Sequence, residues 1–243
     1  MHETKGIRVL SCLSVAVLLL LMPLSASENK PQHLTFESGG ETHSYYLFIP
    51  EKAAKGPAPL VVFLRGSGDD GKSLIGPWLS MAMSEGIILL APDASKLPAW
   101  RFPQVPQFFH DLLQTVRGSH PEIDYRRMYL FGHAAGAIQG LDLALLESED
   151  FAAVAIQAST GDISMRPARP SAPMSRTIPI RIMGGTGDLF ARSQGVGNTR
   201  GIFSNGGYST QPQMPQPPLD KDNSSSKNKE AWAFLKDKKL ENK

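Results

Sequence analysis

Five short apolar runs dictate most of what this chain can become: "PLVVFLR" from Pro59, "GIILLAP" from Gly86, "RMYLFGH" from Arg127, "AAVAIQAS" from Ala152 and "IPIRIMGG" from Ile178. Each is rich in branched residues and lacks the polar alternation of a strand with one wet face, so each reads as a strand covered on both sides. Helix-length stretches lie between them at Ser73–Glu85, Val105–Arg117 and Ala135–Glu147. Strand and helix in alternation specify an α/β fold, a mostly parallel central sheet with helices on both faces. An earlier segment, "HSYYLFIP", is expected to add an antiparallel edge strand. There is no internal repeat.

The ends of the chain follow other rules. Lys5 and Arg8 precede an apolar run from Val9 to Met22, and small residues follow at Ser25 and Ser27. That is the layout of a secretory signal peptide over residues 1–27, and the run is short for a span of roughly 20 residues. The expectation is a secreted or periplasmic protein with no stable membrane insertion once the signal is removed; an uncleaved anchor is the alternative. The sole cysteine, Cys12, lies inside that segment. A chain without it has no disulfide and no cysteine metal site. Residues 28–243 are enough for one domain with a sizeable core, and a net charge of +2 gives no reason to expect a nucleic-acid partner. Residues 192–226, scattered with Gly, Pro, Gln, Asn and Ser, read as irregular or disordered. "KEAWAFLKDKKL" then reads as a final amphipathic helix with Trp232 and Leu235 on one side.

Two glycine motifs compete to define the chemistry. Gly66 to Ser73 spells G-x-x-x-x-G-K-S, a phosphate-binding loop if taken alone. Asp69 and Asp70 would then stand among phosphates as like charges, and the possible Walker B strand ends "LLAPD", with Pro92 before its aspartate. In the second motif, "YLFGHAAGAIQG", a buried strand runs through Gly132, His133, Ala134, Ala135 and Gly136 into a helix. Strand, G-x-S-x-G, helix is the turn that lifts a nucleophilic serine above a sheet. Here Ala134 holds the serine position.

"YYLFIP", "PLVVFLRGSG", "GIILLAPDA", Trp100, "IDYRRMYLFGHAAGA", "DFAAVAIQAS", "IMGGTGD" and "EAWAFL" stand in an order and spacing that resembles secreted α/β-hydrolases of the polyhydroxybutyrate depolymerase and feruloyl esterase-like kind. The resemblance covers nearly all of residues 43–240. It implies an α/β-hydrolase fold in which "RGSG" is the oxyanion turn, with Arg65 in place of the usual histidine, and the G-K-S is accidental. It implies further that backbone N–H groups at Ser67 and Ala135 form the oxyanion hole, that Ala134 is the nucleophile position and that Asp188 is the acid. Asp188 also reads as a turn aspartate bonded to local backbone.

The base is missing. All six histidines lie at or before position 133, whereas the resemblance places the catalytic histidine in a segment aligned with Met214–Asp222. His133 lies inside the turn and is expected to be a packed or partly exposed neighbour. Ser159, Ser164, Ser171 and Ser175 lack the G-x-S-x-G surround, and His110, Asp111 and His120 are too thin a set for a metal. The expected protein is a pseudo-esterase with a cleft for a small ester or an acyl or aromatic group, needing neither cofactor nor metal. The alternatives are a weakly active carboxylesterase and, remotely, a P-loop nucleotide-binding protein.

Overall fold

The computed structural model describes residues 30–64, 70–93, 104–133, 135–146, 148–157, 178–183 and 224–241. Its first elements are β1 (Gln32–Ser38) and β2 (Glu41–Phe48), paired antiparallel from Gln32↔Leu47 to Ser38↔Glu41. Gly39 and Gly40 join them with φ of 61° and 80°. Two successive positive φ values suit the twist of a tight hairpin, and glycine adopts them without steric cost.

The remaining strands are β3 (Ala58–Leu64), β4 (Ile88–Asp93), β5 (Ile123–His133), β6 (Ala153–Gln157) and β7 (Ile180–Met183). These are the five apolar runs, and β3 and β6 are buried along their whole length. The sheet has the order β1-β2-β4-β3-β5-β6-β7. Strands β4, β3, β5, β6 and β7 are mutually parallel, and β2 lies antiparallel to β4. The stretch expected at the edge is therefore antiparallel but internal. The edge belongs to β1, because the glycine turn folds Gln32–Ser38 back along β2.

Helices cover both faces. On one side α3 (Gln104–Ser119) and α4 (Ala135–Leu146) bring Phe109, Leu112, Val116, Ala137 and Leu141 onto Leu60, Val62, Leu64 and Ile156. On the other, α1 (Gly71–Ile75), the turn Gly76–Trp78, α2 (Leu79–Glu85) and α5 (Ser224–Leu235) bring Ile75, Trp78, Ala82, Ala231 and Leu235 onto Val61, Phe63, Leu89 and Phe131. Trp78 meets Phe63 and Phe131 edge-on, with ring centroids 5.2 and 5.0 Å apart. Such pairs add directional attraction to area burial.

Two helix expectations change. Ser73–Glu85 is split by a 3₁₀ turn at Gly76–Trp78, where Pro77 has no N–H to continue the α pattern but suits the first turn of a new segment. Gly86, at φ 76°, ends α2 and returns its N–H to Ala82 O. The final helix begins at Ser224, inside the stretch read as irregular, and stops at Leu235. Lys236–Leu240 instead forms an anchored tail. Tyr129 Oη donates to Lys238 O at 2.7 Å, Arg126 Nε donates to Leu240 O at 2.9 Å, and Leu240 N–H donates to Arg126 O at 2.9 Å. Backbone–backbone pairing with the start of β5 outcompetes another helical turn.

Candidate active site

Because β3 to β7 run parallel, their C-terminal ends share one edge of the sheet. There Leu64 is level with Gly132, His133 with Gln157, and Gln157 with Met183. In open α/β sheets this edge is where ligands bind.

The β5–α4 junction is its sharpest feature. His133 ends the strand and Ala135 begins the helix, so strand and helix are separated by one position in the chain. Gly132 makes that possible. A Cβ there would lie 2.6 Å from Gly136 O and 2.7 Å from Ala137 Cα, both backbone atoms that cannot step aside. One turn further on, a Cβ on Gly140 would meet Leu64 Cδ1 at 3.2 Å. The glycines thus draw α4 down against β5 and β3, which is the packing a nucleophile elbow requires. Ala135 supplies the first N–H of α4, a donor with no acceptor inside the helix.

His133 is partly exposed, and its neighbour Gln157 is buried at 6% exposure. Gln157 belongs to no motif in the sequence. A polar residue closing an otherwise apolar strand was the signal. Ala134, Ser67, Asp188 and the segment Met214–Asp222 lie outside the described residues.

The competing glycine loop has a different occupation. Asp70 caps α1, its Oδ1 accepting the Ser73 N–H at 2.6 Å, while Ser73 Oγ donates to Asp70 O at 2.8 Å. The side-chain carboxylate takes a donor that a phosphate would need, and the hydroxyl that would meet a metal is turned to backbone. Gly71 has its own packing reason. A Cβ there would come 2.9 Å from Ala91 O and 3.1 Å from Tyr46 Cδ2. Lys72 is exposed.

Beside this turn the field is negative. Asp93 ends β4 and has Ser44 Oγ and His33 Nε2 each 3.4 Å from its Oδ2. The His33 ring stacks on Tyr46, centroids 4.4 Å apart. Burial, and then the charges of Asp93 and Asp70, hold the Tyr46 phenol above its ordinary value. The weak metal set is dispersed into local pairings: His110 with Gln114, Asp111 with Ser38 and Gln107, His120 with Glu122. Among the described residues no three His, Asp, Glu or Cys side chains converge.

A sheet in this order, with β2 reversed and helices on both faces, defines the α/β-hydrolase fold. Solved structures agree. The chain is similar to a thermostable esterase at 20% identity and a TM-score of 0.65, with 87% of this chain matched to 64% of that one. It is similar to an S-formylglutathione hydrolase from Staphylococcus aureus at 13% identity and a TM-score of 0.66, over 84% of this chain and 98% of that one. A ferulic acid esterase gives 15% identity and a TM-score of 0.63, over 85% and 97%. No protein-family model matches the sequence, and no curated protein is similar to it.

Proposed function

We propose that this is a secreted or periplasmic relative of carboxylic-ester hydrolases, of the polyhydroxybutyrate depolymerase and feruloyl esterase-like kind, that has lost serine catalysis and keeps a cleft for a small ester or its acyl or aromatic part. The observation that carries the reading is the β5–α4 turn. Its glycine packing is what an elbow requires, yet the residue in the serine position of the motif is Ala134. Acyl transfer needs a hydroxyl and a base to take its proton. With no histidine after position 133, the imidazole that relays a proton near neutral pH is missing as well. What the reading keeps is a means of binding: the family resemblance assigns the N–H groups of Ala135 and Ser67 to a carbonyl oxygen. The esterases among similar structures support the ligand class.

The test is hydrolysis of p-nitrophenyl acetate against a heat-killed control, with labelling by a serine-directed phosphonate. Neither turnover nor label is expected. Ala134→Ser alone should recover little, because triad members act as a unit. Ala134→Ser combined with a histidine introduced between Gln216 and Leu219 should exceed either change alone. Turnover by the unaltered protein, or esterase-like rates from Ala134→Ser by itself, would mean that a base is already in place and would favour the weakly active carboxylesterase.

A further inference from the structure

Strand β1 is the first strand of the sheet, and among the described residues nothing pairs along its outer side. An open strand edge is a template for another strand, and proteins usually blunt it with a lysine, a proline, a bulge or extreme shortness. The seven residues of "QHLTFES" include neither lysine nor proline, and their pairing with β2 runs without a shift from Gln32↔Leu47 to Ser38↔Glu41. The hairpin decides which groups face outward. Ser38 and Glu41 close a two-residue turn, so they exchange backbone hydrogen bonds with each other and the pattern alternates from there. Ser38, Phe36, Leu34 and Gln32 thus aim their N–H and C=O groups at β2, while Glu37, Thr35 and His33 aim theirs at the open edge.

A second β1, laid antiparallel with Thr35 opposite Thr35, answers this edge at every position. The outward row sets His33 opposite Glu37 of the second copy, an imidazole N–H facing a carboxylate, and the two threonine hydroxyls facing each other. Cross-strand pairs of these kinds stabilise antiparallel neighbours. On the face beneath α3, Leu34 comes opposite Phe36 of the second copy. Leu34 is only half-buried within one chain, and its counterpart would land beside a Phe36 ring that already meets Phe108, centroids 5.0 Å apart. Helix α3 touches β1 toward its Ser38 end, through Phe36 and through Asp111, which accepts from Ser38 Oγ at 2.7 Å. The α3 helices of two copies therefore stand at opposite ends of the shared edge.

Neighbouring registers match less well. Centring on Leu34 brings Pro31, which has no N–H, into the hydrogen-bonding row, and centring on Phe36 sets His33 opposite Gly39 of the turn. We propose that β1 is a dimerisation edge, on which a second copy of this chain adds its own β1 antiparallel about Thr35 to make one sheet through both copies. The contact is self-complementary, as a two-fold dimer requires. A single strand edge falls below the roughly 1,200 Å² of a standard interface, so the dimer is reversible. It is independent of chemistry at the β5–α4 turn.

The experiment is sedimentation velocity of the full chain across a range of micromolar concentrations, with circular dichroism melting of each variant. A reversible monomer–dimer equilibrium is expected. Thr35→Pro removes an N–H that β2 does not use, so it should abolish the dimer while the dilute protein keeps its fold. Glu37→Lys sets an ammonium against each imidazole and should weaken the dimer about tenfold. If Thr35→Pro does not fold, Glu37→Lys decides by itself. The proposal fails if the chain is monomeric throughout, as it would be with another segment on the edge. It fails equally if Glu37→Lys leaves association unweakened, or if a folded Thr35→Pro still associates, as it would if the apolar run Val9–Met22 drove the association.

Discussion

The closest approach at any described glycine offers a demanding test of the elbow. In Gly132→Ala the new methyl group would stand 2.6 Å from Gly136 O and 2.7 Å from Ala137 Cα. Ordinary contact begins at 3.4 Å, so the closer approach falls short by about 0.8 Å in an interior already packed like a crystal. Neither opposing atom belongs to a side chain that can change rotamer. Relief requires α4 to rise from the sheet, loosening Ala137 and Leu141 over Leu64 and Ile156. Forcing atoms into a filled core costs about 1–3 kcal/mol when neighbours yield. With backbone on the far side, the upper end, about 3 kcal/mol, is expected. For a chain of this length that corresponds to a melting temperature lower by roughly 6–12 °C. Gly118→Ala is the control, because a Cβ there meets nothing within 4 Å and alanine is favoured over glycine in a helix by about 0.5–1 kcal/mol. Urea unfolding followed by circular dichroism measures both. A Gly132→Ala midpoint within error of the unaltered protein would refute the close approach of α4 to β5, and with it the elbow.

Two further expectations concern the loop and the tail. Lys72→Ala should leave stability and any thermal response to Mg-ATP unchanged, whereas Asp70→Ala should cost about 0.5–2 kcal/mol as a lost helix cap; an ATP-induced stabilisation abolished by Lys72→Ala would revive the nucleotide reading. Burial pulls the Asp124 carboxyl up, but the hydrogen bonds from Arg127 and the Arg126 N–H, with the charges of Arg127 and Lys239, outweigh it and hold it below its ordinary 3.8. A carboxylate lowered by folding contributes stability that is complete above its unfolded value and is lost as pH falls through its folded one. Asp124→Asn should therefore lower the melting temperature at neutral pH and converge with the unaltered protein in strong acid; parallel curves would exclude this contribution.

The five buried strands were legible because burial on both faces writes an unbroken apolar run. Strand β1 was not, since "QHLTFES" buries only Phe36 and Ser38 and its charged and polar residues resemble a loop. The Ser-Gly-Gly-Glu turn was the available clue. The start of α5 was hidden for another reason: "SSSKN" carries little intrinsic helical preference, and it is packing that holds it, with Lys227 and Asn228 both buried. Its end was misread because a run of lysines after "AWAFL" looks like a solvated helical face, while the actual partner, the start of β5, is more than a hundred residues away in the chain. At the elbow, Gly132 and Gly136 could be read from spacing alone. The capping role of Asp70 could also be read from Asp-Gly-Lys-Ser, but the phosphate-loop pattern drew attention to charge repulsion instead.

Helix α5 is translated after every described strand, yet it covers the β6 and β7 end of the face that includes Tyr129, Phe131 and Ala155. During synthesis α1, Trp78 and α2 can cover Val61 and Phe63 early, but the β6–β7 part of that face stays wet until α5 is made. Arg181 of β7 then pairs with Glu230 of α5, and the tail closes on Arg126 and Tyr129. A nascent chain of this design has part of one greasy side of its sheet bare until α5 is made. Holding factors or translocation before folding would have to shield it, and a ribosome stalled ahead of Ser224 would release a sticky half-sandwich, not a shortened but sound domain.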